Sequence, residues 1–408
     1  MSTRQVKLCL KDLYHQDVVE MIERETRQFA IWEILDPADP GFEIAYATLW
    51  DAFGPQGEME RQDAVLRFLR DDSYSPTPQG TYIRYLLLAA RDAKGKLCGV
   101  RDATILLNPG YAHDLCVVYL SHIYILPEAR GTVLSYWLRI APVEIACEYM
   151  SELHRRGLIK LPNPDLPGKH FGMNINLTAE TEYFAPGERQ SWQRLLFYGR
   201  GGFDAVNPRH FPYMQPDFRD PEVIRATGNH PVPFMIMVRR MGRERQATMP
   251  IDEASALMRL LYDDFACHCA PEFLENSLQR VLDRLAERST RKRFVELLPL
   301  PTGAKDIARL KRVFRHAIYQ RYYQGASPIV DHYLKGPIHE TLKKNPNYLD
   351  DELARIAHEL EARPRSVYAN RQKEHTWEGE PEPVPVGARD DEPTGEIPVP
   401  PPHRHAGG

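Results

Sequence analysis

The residues Tyr119-Leu120-Ser121-His122-Ile123-Tyr124-Ile125-Leu126-Pro127-Glu128-Ala129-Arg130-Gly131 run from an apolar strand pattern into a proline. Three residues later comes Arg-Gly, and a long helical pattern follows at once. A strand feeding a tight loop into a helix start makes an anion site. The first helical N–H groups have no partner inside the helix, and the helix dipole favours negative charge there. A pyrophosphate fits such a mouth. Close by, His122 is the side chain whose ordinary pKa suits a base near neutrality. Strand alternation turns it away from the face shared by Tyr119, Ser121, Ile123 and Ile125 unless a bulge intervenes. No acid lies between Leu115 and Pro127, whereas Glu180 and Glu182 sit near the end of a later strand pattern. Cys267-His268-Cys269 offers ligand residue types, but structural zinc sites need a second cysteine or histidine pair, and none lies nearby. No metal is expected.

Three zones must position these groups. Residues 1–245 mix strands with helices. Strands are expected at 5–10, 82–88, 97–107, 114–126, 170–178 and 233–239. Helices are expected at 16–29, at 42–69 with an interruption near Gly54-Pro55-Gln56-Gly57, at 132–155 and at 188–198. Short turns between the three central strands predict an antiparallel meander. Residues 250–365 read as all helix, with segments at 251–269, 271–287, 304–323, 328–344 and 349–362. Pro271 and Pro328 suit first helical positions. Residues 366–408 are rich in proline and acid, lack apolar periodicity and are expected to be disordered.

The chain has 408 residues and a formal net charge of −4. From Arg371 onward there are four basic and eight acidic residues, so the tail carries the whole imbalance and the body is neutral. A neutral body argues against a dedicated nucleic-acid binder. The basic residues of 288–315 are interleaved with aromatics, but acids lie in and beside the same stretch. No apolar run is long enough to span a membrane, and the first ten residues lack the apolar core of a signal peptide. The six cysteines are scattered, mostly beside apolar runs, which suits reduced thiols in a cytoplasmic compartment.

Ile125-Leu126-Pro127-Glu128-Ala129-Arg130-Gly131 resembles the strand-end and loop motif of the GNAT (N-acetyltransferase) superfamily, a β-branched residue, Pro two positions on, then Arg-Gly-x-Gly-x-Gly. Leu195-Leu196-Phe197-Tyr198-Gly199-Arg200-Gly201-Gly202-Phe203 resembles that family's Leu-Tyr-x-x-x-Gly-Phe signature. The two motifs stand about 70 residues apart, room for one helix, one strand and a second helix. The resemblance covers residues 5–240. It implies an α+β fold, a largely antiparallel, splayed sheet flanked by helices, here followed by an all-helical C-terminal domain and a disordered tail.

The resemblance further implies acetyl-CoA or another acyl-CoA as co-substrate. The strand edge at Ile123 and Ile125 would pair with the pantetheine arm, and the loop of Arg130, Gly131, Thr132, Val133, Leu134 and Ser135 would cradle the pyrophosphate. Tyr198 would be the general acid for the leaving thiolate. Tyr119 and Ser121 would lie toward the acceptor, as would His122 where the strand bulge common in the family intervenes, with a backbone N–H near 123–125 serving the oxyanion. The expected activity is acyl transfer to a primary amine of a small molecule, a protein lysine or an N-terminus. A homo-oligomer is compatible with it, while nucleic acid and membrane are not expected partners. The family has glycine where this chain has Val133, and valine avoids positive φ and would crowd the phosphates. A catalytically inactive scaffold that binds a partner through its helical C-terminal region is the alternative expectation.

Overall fold

The computed structural model describes residues 2–7, 20, 24, 28–56, 58–165, 172–183, 189–310, 344–345 and 347–362. In chain order the strands are β1 (Thr3–Gln5), β2 (Phe29–Ile34), β3 (Tyr82–Asp92), β4 (Leu97–Leu107), β5 (Leu115–Tyr119), β6 (Ile123–Ile125), β7 (Asn174–Glu182), β8 (Asp204–Val206), β9 (Met214–Gln215), β10 (Val232–Arg240), β11 (Thr248–Pro250) and β12 (Phe294–Pro299). The helices are α1 (Pro40–Phe53), α2 (Gln62–Arg70), α3 (Leu134–Arg155), α4 (Arg189–Arg200), α5 (Pro221–Thr227), α6 (Ile251–Phe265), α7 (Pro271–Ser289) and α8 (Tyr348–Ala362).

One sheet carries the order β1-β2-β3-β4-β5-β7-β10-β8-β12-β11, with β6 on β4 and β9 on β10. Every pairing is antiparallel except β5 with β7. The exception follows from the connection: a parallel neighbour needs a long crossover, and α3 is that crossover. Helices cover both faces. One core joins α3 and α4 to Leu86, Ile105, Val118 and Leu177 of the sheet. On the opposite face α6 and α7 bury Leu106, Val117 and Ile236. The helices α1 and α2 pack on Leu87, Ala89 and Val100. With both faces covered, ten of the eleven residues of β4 are buried.

The α+β expectation holds, with corrections in the elements. The helix expected at 16–29 lies mostly outside the described residues, and Phe29 already belongs to β2, drawn into the sheet by β3. The strand expected at 114–126 is two strands, β5 and β6, separated by residues 120–122. Within the stretch expected to be helical throughout, residues 294–299 form β12. There Leu297 pairs with Val206 of β8, and Thr248 of β11 pairs with Glu296. A partner edge on each side makes it a strand, with its single proline, Pro299, as the last residue. The helices expected at 251–269, 271–287 and 349–362 are present. Of the one expected at 304–323, Ala304–Arg309 is a 3₁₀ helix and residues 311–323 lie outside the described residues, as do 328–343 and the tail. Cys98, Cys116, Cys147 and Cys269 are buried. Among the described residues no helix is long and apolar enough to cross a membrane.

Candidate functional site

The site begins where two parallel strands part. Leu115 to Tyr119 of β5 keep register with Asn174 to Thr178 of β7, and Leu120 N–H still reaches Thr178 O at 2.8 Å. Beyond that point the chain leaves β7 and continues as β6, hydrogen-bonded only to β4 among the described residues. The departure is fixed by Asp102 of β4. Its carboxylate accepts from the His122 amide at 2.6 Å and meets the His122 ring nitrogen Nδ1 at 2.9 Å. Its own amide donates to His122 O at 3.3 Å. Further on, Leu126 N–H donates to Cys98 O at 3.0 Å. Since main-chain groups alternate in direction along a strand, those of Ile123 and Ile125 face away from β4, into the gap left by β7.

A cavity of about 480 Å³ occupies that gap. Ser121, Ile123, Tyr124 and Ile125 form one wall, and Glu180, Thr181 and Glu182 of β7 form the other. Arg194, Phe197 and Tyr198 of α4 and Arg130, Gly131, Thr132 and Ser135 of the loop complete it. The expected cofactor residues Ile123, Ile125, Arg130, Gly131, Thr132 and Ser135 therefore come together, while Val133 and Leu134 are buried beside them.

The loop has the local geometry of an anion cradle. Pro127–Ala129 is one 3₁₀ turn, and Gly131 follows at φ +80°, with open space where a Cβ would stand. Thr132 Oγ1 donates to Ala129 O at 2.7 Å and accepts from Leu134 N–H at 3.3 Å, which sets the helix start. Among the described residues the amides of Gly131, Thr132, Val133 and Ser135 have no hydrogen-bond acceptor. The expectation that Val133 strains or crowds this mouth is corrected. Its φ is −73° and its side chain is buried, so the left-handed position falls on Gly131 instead. Arg130 Nε donates to Ile125 O at 3.0 Å, and its guanidinium lies over the Tyr124 ring at the exposed rim.

Tyr198 ends α4. Its carbonyl accepts from the amides of Gly201 and Phe203, and Gly202 at φ +77° turns the chain so that Phe203 re-enters the core. The phenol ring packs against Phe197 and Phe203, each 5.3 Å away. Burial raises its pKa, and the guanidinium groups of Arg101, Arg139 and Arg194 pull the other way without cancelling it. The phenol is therefore protonated at neutral pH.

Two of the expected acceptor-side residues turn elsewhere. Tyr119 does not reach the cavity; its hydroxyl donates to Glu180 Oε1 at 2.5 Å. His122 is also outside the cavity wall, because Nδ1 faces Asp102 and Nε2 stands 2.7 Å from Glu58 O. Burial alone would lower its pKa, but the Asp102 carboxylate holds it up at about 10. A ring already protonated at neutral pH, with both nitrogens engaged, has no lone pair to offer an amine.

Glu180 is one of the two acids expected near a strand end. It lies in β7, lines the cavity, and accepts from Tyr119, from Tyr213 and from Gln215 Nε2 at 3.0 Å. Burial raises its pKa, and its three donors hold the rise in check. Arg101-Asp102 is the other feature that sequence reading passed over. Its signal was a charged pair inside an eleven-residue apolar strand, where each charge needs a partner.

No known family and no curated protein matches this chain by sequence. Among solved structures, the chain is similar to spermidine N-acetyltransferase from Vibrio cholerae in complex with CoA and spermine. That match is 11% identical over 54% of this chain and 99% of the other, with a TM-score of 0.30. It is also similar to a GCN5-related glucosamine N-acetyltransferase region of a fungal multi-domain GH3 β-N-acetylglucosaminidase. Here identity is 15% over 62% of this chain and 24% of the other, with a TM-score of 0.29. Both scores lie below 0.5.

Proposed function

We propose that this protein is a GNAT-type N-acyltransferase that moves the acyl group, acetyl in the first instance, from acyl-CoA to a primary amine. The observation that carries the reading is the parting of β6 from β7. It leaves the main-chain groups of Ile123 and Ile125 facing a cavity that has an amide-lined helix mouth at one side and Tyr198 and Glu180 in its walls. The pantetheine arm of the co-substrate, itself a chain of amides, would pair with that edge as a strand does. The pyrophosphate would lie on the amides of Gly131, Thr132, Val133 and Ser135, with Arg130 at the rim.

In this reading the acceptor amine loses its proton to Glu180, directly or through one water, and attacks the thioester carbonyl. A main-chain N–H of the β6 edge stabilises the oxyanion. The C–S bond then breaks, and the thiolate takes a proton from Tyr198. The attacking nitrogen loses its second proton as the amide forms, which restores the Tyr198 phenol through solvent, and Glu180 releases the first, so the net products are an amide, free CoA and the proton of the cationic amine. With Glu182 paired to Arg194, Glu58 and Glu180 give the cavity wall an acidic character that suits a cationic amine before it is deprotonated. Tyr119 acts through Glu180, and Ser121 contacts the acceptor.

Free-thiol release from acetyl-CoA with a panel of primary amines tests the reading, on the wild type, Tyr198→Phe and Glu180→Gln. Amine-dependent release is expected in the wild type. Each variant should be about 100-fold slower or worse, the usual scale for a lost acid or base. Absence of CoA binding by calorimetry, together with no thiol release from any amine, would refute it.

A further inference from the structure

Behind the cavity wall, three segments bring ligand-type side chains to one point, and a fourth stands beside them. Glu60 comes from the loop after α1, Asp102 from β4 and His122 from the junction of β5 and β6. One ligand atom of each lies within 4.8 Å of the others. His268, just past α6, stands next to Glu60, with Nε2 3.6 Å from Glu60 Oε1. The His268 side chain is only 9% exposed, and neither ring nitrogen makes a hydrogen bond. It stands among the rings of Phe68, Phe218 and Phe265. A buried imidazole without a hydrogen bond, aimed at carboxylates, calls for a positive partner.

We propose that Glu60, Asp102, His122 and His268 bind a divalent transition-metal cation of the zinc class. Two imidazoles and two carboxylates form the donor set of such a site, whereas magnesium and calcium favour oxygen alone. The outer hydrogen bonds have the matching arrangement. His122 Nε2 lies 2.7 Å from Glu58 O, so it carries a proton to that carbonyl and leaves Nδ1 for the metal. Asp102 is oriented by the His122 amide at 2.6 Å and by the Tyr85 hydroxyl at 3.2 Å. Tetrahedral bonds of about 2.0–2.1 Å place ligand atoms about 3.3 Å apart. The separations of 2.9 Å between His122 Nδ1 and Asp102 and 3.6 Å between His268 and Glu60 lie near that value, and an ion held by all four would draw His268 and Glu60 toward the other two. As the metal bonds to Nδ1, any proton on that nitrogen leaves to solvent.

Such an ion would tie α6 and the loop after α1 to the strand junction, and Glu58 and Ser121 of those tied segments line the cavity. The proposal is independent of the transferase reading. Its test uses the full-length protein, stripped with a chelator and titrated with zinc, and in parallel with magnesium, by calorimetry. One zinc equivalent is expected, with magnesium bound far more weakly. Glu60→Gln and His268→Gln should each weaken zinc by about tenfold or more, while melting in chelator stays near that of the wild type. Cys267→Ser should leave affinity unchanged, and X-ray absorption should find only nitrogen and oxygen around the metal. Absence of a stoichiometric site, an affinity indifferent to both glutamine variants, or sulfur in the coordination shell would each overturn the assignment.

Discussion

Replacing Tyr119 by Phe isolates the proton-accepting role assigned to Glu180. The phenol donates to Glu180 Oε1 at 2.5 Å, while its ring meets Phe265 edge-on at 5.9 Å in the core. Phenylalanine keeps the ring and removes the donor. A hydrogen bond to an ionised group is worth ~1.5–3 kcal/mol. One pKa unit corresponds to ~1.4 kcal/mol, so losing this donor should raise the carboxyl pKa by about 1–2 units. Burial has already placed it above the ordinary carboxylate range. The base works ionised, so the acid limb of kcat/KM moves to higher pH by the same amount. Activity on the acid side of the shifted limb falls and returns toward the wild-type plateau as pH rises above it. Thiol release followed across pH, at saturating acetyl-CoA and limiting amine, reads this directly. Superimposable profiles for the two proteins would refute the role of Glu180, and so would a loss that stays constant at every pH.

Three further outcomes are expected. Tyr198→Phe should lower kcat by about 100-fold while leaving CoA affinity unchanged, because the hydroxyl acts on the leaving thiolate and the ring keeps its packing; stopped thiol-release kinetics beside calorimetry separate the two. Gly131→Val forces a β-branched residue to φ +80°. It should destabilise the loop by about 1–2 kcal/mol and weaken CoA binding, read by thermal melting and titration. Val133→Gly should lower stability by about 2–3 kcal/mol, because it empties a buried position and loosens a helix start. It should bring no gain in CoA affinity; a gain would show that the valine crowds the mouth after all.

The sequence by itself determined the elements whose signals are local. The run from Ile123 through Arg130 to α3 was legible because proline, glycine and a change from period two to helical period stand side by side. Tyr198 and the turn at Gly202 were legible for the same reason, and so were the helices α6 and α7. What depends on a partner distant in the chain was not. The break between β5 and β6 looks like continuous strand because its cause is the carboxylate of Asp102, about 20 residues earlier. The role of Val133 was misjudged because φ is set by how the whole loop closes, which moved the left-handed position to Gly131. Strand β12 needed β8 and β11 beside it, one edge on each side, to join the sheet. Glu180 became a buried, three-fold hydrogen-bonded acid only when Tyr119, Tyr213 and Gln215 were folded around it. Local backbone preference is written residue by residue, whereas burial and charge environment are properties of the neighbours that only tertiary packing supplies.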